Sequence, residues 1–513
     1  MSRKVIVLGL DGVCWDLIGG WIDQGELPTF KRLRDNYACG TLKSVVIPMT
    51  FLAWPSMFTG KNPGKHGIVC IGEFNRKKYG FSHFNGAKDV KSDFLWEILE
   101  RNGIKCGLIN IPLSSPFRSP IAFGEGDKWR KDWMNFEWKE DTRVGILPSD
   151  KNFGKRVNEV MELRFDQLEY VLENREFDFF AMDICSLDPL QHFKWHEKEF
   201  LKGTFKGIDS RLERLLGKLD DETLLFLVSD HGMIGLEKWF RVNNWLEEKG
   251  YLRFKGKRIE SSRIAKAGIN TDNLESFANP LISIITKLGI KRFISRGIIT
   301  SFRELRRHSL LLKDEVSQKK LADQIDWENT KAHAFGGEGG IYLNLEGREV
   351  YGSVSEEDYE EVRGAIIKDL KEDFRGVEIF RREDVYNGPY VETSADIMFI
   401  INGGSIRTSG TYSPSGSLFK EPVPGKDVMS NHSLYGIFLV YGKEFKKVKI
   451  DPVIYDITPT VLHIFGLPVP KDMDGRVLKE IFRGDSEMAK REVVHQKANE
   501  KGWIRDRIKR LGL

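Results

Sequence analysis

The sequence predicts an α/β fold with a doubly wound, mostly parallel central sheet, flanked by helices and carrying a helical insertion. Three observations point there. Apolar, β-branched runs of strand length occur at Lys4–Leu10, Phe177–Asp183 and Thr223–Ser229, the pattern of strands buried on both faces. Helical stretches alternate with these runs, as parallel strands joined by crossovers require. Asp and His recur where the runs end, at the edge where open α/β sheets bind ligands.

Lys4–Leu10 runs into Asp11-Gly12 and reads as a central strand. A short amphipathic helix over 30–36 follows the Leu-Pro-Thr start at Leu27. Asp93–Arg101 has a helical pattern and Lys105–Asn110 that of a strand. From Gly124 to Phe153 the chain is rich in Trp, Lys, Asp and Gly without periodicity and reads as a long surface excursion. Its Trp129, Trp133 and Trp138 suit either local packing or a stacking platform for a base. Helices follow at Arg156–Asn174 and Gly207–Leu219. After Leu252 the composition turns basic and helix-prone, so residues 253–333 read as a helical insertion or cap between two parts of the core, 1–252 and 334–480. The second part carries strands at Gly340–Leu345, Asp396–Ile401 and Gly436–Tyr441. Its helices are Glu356–Leu370 and Asp456–Phe465, the latter closed by Gly466 and then Pro468. Residues 481–513 form a basic, amphipathic, helical tail, either simply solvated or lying on an anionic membrane or a partner.

Composition narrows the class. The 12 Trp and 33 Phe supply a large core, and a net charge of only +4 argues against a nucleic-acid binder driven by bulk charge. Five scattered cysteines without a Cys-x-x-Cys spacing read as reduced thiols, not as a disulfide frame or thiolate metal site. The start, Met-Ser-Arg-Lys, leads straight into a strand, and no uncharged apolar run approaches 20 residues. The expected location is therefore cytoplasmic, without a spanning helix.

The chain is organised around Val45–Gly67. A β-branched run ends at Pro48, and Thr50 stands as the N-cap of an apolar helix that closes at Gly60, with Pro55 either kinking that helix or moving its start to Trp54. A hydroxyl there lies beside free backbone N–H groups and the positive end of the helix dipole, a setting for a phosphoryl or sulfuryl oxygen. Thr50 is thus either an ordinary cap or a nucleophile. Asp188 and His192, four residues apart, share one helix face, Asp230-His231 closes the Thr223 run, and His432 immediately precedes the Gly436 strand. Each alone reads equally as a turn acid or a hydrogen-bonded histidine. Together, three Asp, three His and a hydroxyl are what two divalent ions need; mixed imidazole and carboxylate donors suit zinc, and also manganese or iron.

These blocks resemble the alkaline phosphatase superfamily: Leu-Gly-Leu-Asp11-Gly, the Pro-Met-Thr50-Phe-Leu-Ala-Trp-Pro-Ser segment through Lys-His-Gly-Ile, Ser-Asp230-His231-Gly-Met, and Asn-His432-Ser-Leu-Tyr-Gly. The branch they resemble is that of the type I phosphodiesterase/nucleotide pyrophosphatase-like phosphohydrolases and phosphomutases. The resemblance implies an alkaline-phosphatase-like fold. It implies one metal held by Asp11, Thr50, Asp230 and His231 and another by Asp188, His192 and His432, with Thr50 as nucleophile. In that branch an Asn just beyond the His-Gly-Ile holds a non-bridging phosphate oxygen; here the neighbourhood is Val69-Cys70-Ile71-Gly72, so Lys65, Asn75 or a residue of the insertion must take its place. The expected function is a two-metal phosphoester hydrolase, of phosphodiesterase/nucleotide pyrophosphatase or phosphatase type, acting on a small phosphorylated substrate through phosphothreonine. The alternatives are a phosphomutase using the same site and a non-catalytic adaptor that binds a membrane or partner.

Overall fold

The computed structural model describes residues 3–77, 79–114, 123–124, 152–255, 322–336, 339–413 and 415–497. The tryptophan-rich stretch with Trp129, Trp133 and Trp138, most of the expected insertion and the end of the tail lie outside these residues. Among the described residues no helix is long and apolar enough to cross a membrane.

The apolar runs build a seven-stranded central sheet in the spatial order Cys39–Lys43, Tyr435–Tyr441, Thr223–Val228, Lys4–Gly9, Phe179–Asp183, Cys106–Ile109, Phe123–Gly124. Neighbours are parallel except Tyr435–Tyr441, which runs antiparallel to both of its partners. Alternate residues of the central strand enter two separate cores. Val5 and Val7 join the Thr50–Thr59, Leu95–Arg101 and Ile457–Ile464 helices, whereas Ile6 and Leu8 join Trp15–Asp23, Pro28–Asn36, Phe153–Asn174 and Lys198–Lys218. This is the doubly wound arrangement the runs predict.

A second, mostly antiparallel sheet was not foreseen. It contains Ala332–Ala334, Gly340–Leu343, Val377–Arg381, Ile397–Ile401, Ile406–Ser409, Lys238–Arg241 and Phe419–Lys420. The strands expected at Gly340–Leu345 and Asp396–Ile401 therefore belong here and not to the central sheet, because an apolar run specifies a buried strand but not its partners. Lys238–Arg241 lies ahead of the boundary expected at 252, yet shares this sheet with strands beyond 333. Helices Val242–Glu248 and Tyr359–Asp373 cover it through Trp245, Leu246, Ile366 and Leu370.

Other boundaries moved for local reasons. The Lys198–Lys218 helix starts well before Gly207 because burial of Leu201, Thr204 and Phe205 outweighs the low helix propensity of Gly203 and Gly207. In the described part of the tail a single turn, Glu487–Lys490, precedes an extended stretch to Gln496. Met488 is fully buried and the Arg491 guanidinium donates to the His463 carbonyl at 2.6 Å, so this segment packs on the core.

Registers align the strand ends. Gly9 pairs with Asp183 on one side and Val228 on the other, so Asp11, Asp183 and Asp230 emerge at one level. Beneath them Trp54 closes the core: a Cβ on Gly9 would lie 2.3 Å from its Cη2 and 2.8 Å from Asp183 Oδ1. Gly9→Ala is expected to lower unfolding stability by about 1–3 kcal/mol, read from the urea midpoint, because neither the buried indole nor the strand end can yield. A variant as stable as the parent would refute this packing account.

Candidate active site

Each functional side chain is placed by an element ending. Asp11 follows the central strand, and Gly12, at φ 71°, turns the chain so that its N–H donates to Asp230 Oδ1 at 3.4 Å. Asp188 and His192 lie one turn apart on the helix Leu187–Lys194. Thr50 is the first helical residue, not the cap: Met49 occupies that position in extended conformation, Pro55 lies inside the helix without moving its start, and Gly60 closes it at φ 67°. Leu52 and Ala53 donate back to the Met49 carbonyl, while the N–H groups of Thr50 and Phe51 have no acceptor within the helix and stand at the positive end of its dipole.

His432 reaches the site by a route that parallel-sheet logic does not provide. It precedes its strand, and in a parallel strand the preceding residue would sit at the opposite edge. Because Tyr435–Tyr441 is antiparallel, its beginning lies at the carboxyl edge of the sheet. A short strand, Ser430–Ser433, then pairs with Gly232–Gly235, with His432 opposite Met233.

All seven predicted residues converge. His231 Nε2 lies 3.1 Å from Thr50 Oγ1, 3.3 Å from Asp230 Oδ2 and 3.6 Å from Asp11 Oδ1. His432 Nε2 lies 3.0 Å from His192 Nε2 and 3.2 Å from Asp188 Oδ1, with His192 Nε2 at 3.4 Å from that oxygen. The two groups touch through the stacked rings of His231 and His432, 4.0 Å apart. A tetrahedral ion bound at about 2.0–2.1 Å separates its donors by about 3.3 Å, so the spacings match a pair of such ions. Hydrogen bonds fix two tautomers: His231 Nδ1 donates to the Gly232 carbonyl at 3.1 Å and His192 Nδ1 to the Ser430 carbonyl at 2.9 Å, turning both Nε2 lone pairs inward.

The electrostatics suit cations. Asp11 Oδ1 and Asp230 Oδ2, the oxygens nearest His231 Nε2, are buried without a hydrogen-bond donor. Burial, reinforced at Asp11 by Asp230, pushes both carboxyls above their ordinary range. Burial would raise Asp188 too, but His192, His432 and His231 overcome it and pull that carboxyl down. Burial holds His432 neutral, lowering it to about 3, and lowers His192 as well. Neutral imidazoles beside unsatisfied carboxylates are the donor set a divalent ion requires. Bound there, such an ion would lower the pKa of the Thr50 hydroxyl and neutralise charge on a phosphoryl group.

A fourth acid went unrecognised. Asp183 ends its strand fully buried, with neither carboxylate oxygen hydrogen-bonded, and burial with the nearby charges of Asp230 and Asp188 raises it well above the ordinary range. Its signal was present: it closes an apolar run just as Asp230 follows one. Four carboxylates match the four positive charges of two divalent ions.

Of the two expected phosphate donors, Lys65 is engaged elsewhere. Lys65 Nζ is held by Asp474 Oδ1 at 2.5 Å and the Asp472 carbonyl at 2.9 Å, clamping the C-terminal segment. Asn75 closes its own turn, Oδ1 accepting from Lys77 N–H at 3.0 Å. The ammonium is thus spent on structure. Phe51, by contrast, presents a ring 37 % exposed beside Thr50.

Asp183→Asn separates the two roles of that acid. With its folded pKa raised, the acid contributes most below the unfolded value near 3.9, and that contribution is lost as pH rises through the folded value. Metal-free Asp183→Asn is therefore expected to gain melting temperature relative to the parent as pH climbs to neutral. In the same variant zinc affinity should fall on the order of 10- to 100-fold, measured by calorimetry. Unchanged zinc affinity would remove Asp183 from the metal environment.

Similarity to known proteins agrees with this geometry. The fold is similar to murine ectonucleotide pyrophosphatase/phosphodiesterase 5, with 13% identity over 94% of this chain and 100% of that one and a TM-score of 0.52. The human protein of that name gives 14%, 93%, 97% and 0.51. An inactive threonine-to-alanine form of the murine protein, in complex with AMP, gives 13%, 94%, 100% and 0.53. No curated protein matches the sequence. The model of the family described as type I phosphodiesterase/nucleotide pyrophosphatase matches residues 5–290, more than half of the chain. The protein belongs to that family of phosphohydrolases, in the alkaline phosphatase superfamily.

Proposed function

We propose that the protein is a two-metal phosphoester hydrolase that works through a covalent phosphothreonine at Thr50, with zinc as the preferred ion and manganese a substitute. The observation that carries this reading is the Thr50 hydroxyl at the first turn of a helix, 3.1 Å from His231 Nε2 among buried, unsatisfied carboxylates. A threonine hydroxyl is almost wholly protonated at neutral pH and needs activation to attack phosphorus.

In the first step Thr50 Oγ1 gives up its proton and forms a bond to phosphorus while the bond to the leaving oxygen breaks, and the leaving oxygen takes up one proton and departs as an alcohol. The N–H groups of Thr50 and Phe51 face the non-bridging oxygens as charge builds there. In the second step water adds to phosphorus in line with Thr50, restoring the hydroxyl and releasing the phosphoryl product. His231 keeps its orientation through the Gly232 carbonyl and His192 through that of Ser430, so the donors need no rearrangement between steps.

The inactive threonine-to-alanine form of the murine relative, in complex with AMP, supports both a threonine nucleophile and a nucleotide-like substrate. The exposed ring of Phe51 suits the flat, apolar part of such a molecule. Thr50→Ala should fold like the parent and lose turnover of p-nitrophenyl phosphate mono- and diesters on the order of ten-thousand-fold. Chelation should abolish activity in the parent, and zinc or manganese should restore it. Near-normal rates in Thr50→Ala, or activity indifferent to chelation, would refute the proposal.

A further inference from the structure

The turn that delivers Thr50 is strained, and a connection of the second sheet holds it. Ile47 sits at φ 61°, a conformation costly for a β-branched residue. Two residues on, the Met49 N–H donates back to the Ile47 carbonyl at 2.9 Å, so the chain bends sharply at Pro48 just ahead of the helix Thr50–Thr59. Such a backbone persists only where its surroundings over-determine it.

The surroundings come from the connection between the antiparallel strands Val377–Arg381 and Ile397–Ile401. Tyr386, which ends the single helical turn Arg382–Val385, is 2 % exposed, and its hydroxyl donates to the Val46 carbonyl at 2.6 Å. Burial pushes the phenol pKa up, so the hydroxyl remains a donor. Val46 and Ile47 pack in one apolar cluster with Tyr342, Tyr386, Ala395 and Met398. Beyond the far end of the helix the same connection takes hold again. Asn387 N–H donates to Asn62 Oδ1 at 3.1 Å, and Tyr390 N–H donates to the Gly64 carbonyl at 2.9 Å. The contact is close enough to exclude a side chain: a Cβ on Gly388 would lie 2.7 Å from the Gly64 carbonyl oxygen, and one on Gly64 would lie 2.7 Å from that of Asn387. Residues 386–390 thus grip the chain both before and after the helix that begins at Thr50.

We propose that Tyr386 is a positioning residue for the nucleophile: its hydroxyl locks the Ile47 turn and so keeps Thr50 Oγ1 within 3.1 Å of His231 Nε2. The inference rests on the reading of Thr50 as nucleophile. Asp11, Asp230 and His231 are placed by the ends of paired strands, whereas Thr50 follows a turn whose direction is set by φ of Ile47. That angle is measured from the peptide plane between Val46 and Ile47, the plane whose carbonyl Tyr386 holds. Relaxation of Ile47 to negative φ would re-aim everything beyond it, and a nucleophile displaced by about 1 Å loses on the order of 100-fold in rate.

The test compares zinc-loaded, full-length parent with Tyr386→Phe and with a control, Tyr251→Phe. The control removes a hydroxyl that donates to Asp369 Oδ2 at 2.8 Å on the helix Tyr359–Asp373. Tyr386→Phe should lower kcat for bis(p-nitrophenyl) phosphate about 10- to 100-fold while KM and zinc affinity stay near those of the parent. Tyr251→Phe should leave kcat unchanged. Hydrogen exchange read by mass spectrometry needs no turnover. In Tyr386→Phe, peptides covering Val45–Ala53 should exchange about tenfold faster than in the parent, while those covering Lys4–Gly9 do not change. Parent-like kcat in Tyr386→Phe, an equal loss in Tyr251→Phe, or equal acceleration across Lys4–Gly9 would overturn the assignment. A parent that hydrolyses no ester, with the turn still released locally in Tyr386→Phe, would count against the hydrolase reading and not against the hold of Tyr386 on the turn.

Discussion

Four carboxylates crowded at one sheet edge, three of them fully buried, are the constraint on which the rest of this structure depends. Asp11, Asp183, Asp188 and Asp230 crowd together, and among the described residues no lysine or arginine forms an ion pair with any of them. The same chain shows how it neutralises an acid it means to keep buried for structure alone. Asp396 accepts two bonds from Arg348 at 2.7 Å, one from Arg382 at 2.9 Å and one from Tyr359 at 2.7 Å, and these partners pull its carboxyl down although burial pushes the other way. Isolated buried charge costs several kcal/mol per group. A protein that satisfies Asp396 so fully and leaves Asp11 and Asp183 bare has left room for cations.

The same contrast separates two serine/threonine–histidine pairs only a turn or two apart in sequence. Ser56 Oγ lies 2.8 Å from His66 Nε2, as close as any nucleophile and base. Yet His66 Nδ1 accepts from Ile68 N–H at 3.2 Å, which makes Nε2 the protonated nitrogen and a donor to Ser56; the serine in turn donates to the Leu52 carbonyl at 2.8 Å. Every hydrogen has a structural destination, and both residues are fully buried. At Thr50 the arrangement is reversed. His231 spends its Nδ1 proton on Gly232, and the remaining lone pair faces the hydroxyl.

Much of this was legible in the sequence because strand ends leave a mark: an apolar run, then an acid or a histidine, as at Asp11 and at Asp230-His231. The helix spacing of Asp188 and His192 was legible for the same reason, since i and i+4 share a face. Asp183 was missed because it is the last residue of its run and reads as part of the strand. Its exposure to the site follows only from the register with Gly9. The second sheet was not legible at all. Its strands look like those of the first, and pairing is decided by long-range register that local pattern does not encode. Lys65 is a related failure, since proximity in sequence to the Thr50 helix suggested a phosphate donor, whereas Asp474, some 400 residues on, claims the ammonium.

The antiparallel strand Tyr435–Tyr441 explains why one site can draw on both halves of the chain. A crossover connection would have carried the residues before that strand to the amino edge of the sheet, far from Asp11. Reversed, the strand delivers His432 to the carboxyl edge, and the segment just before it runs past Gly404 of the second sheet, where Asn431 docks. One short stretch, Ser430–Ser433, therefore faces both ways. Ser430 and His432 meet His192, while Asn431 between them donates to the Gly404 carbonyl. The central sheet gathers the cluster, and this strand joins it to the second sheet.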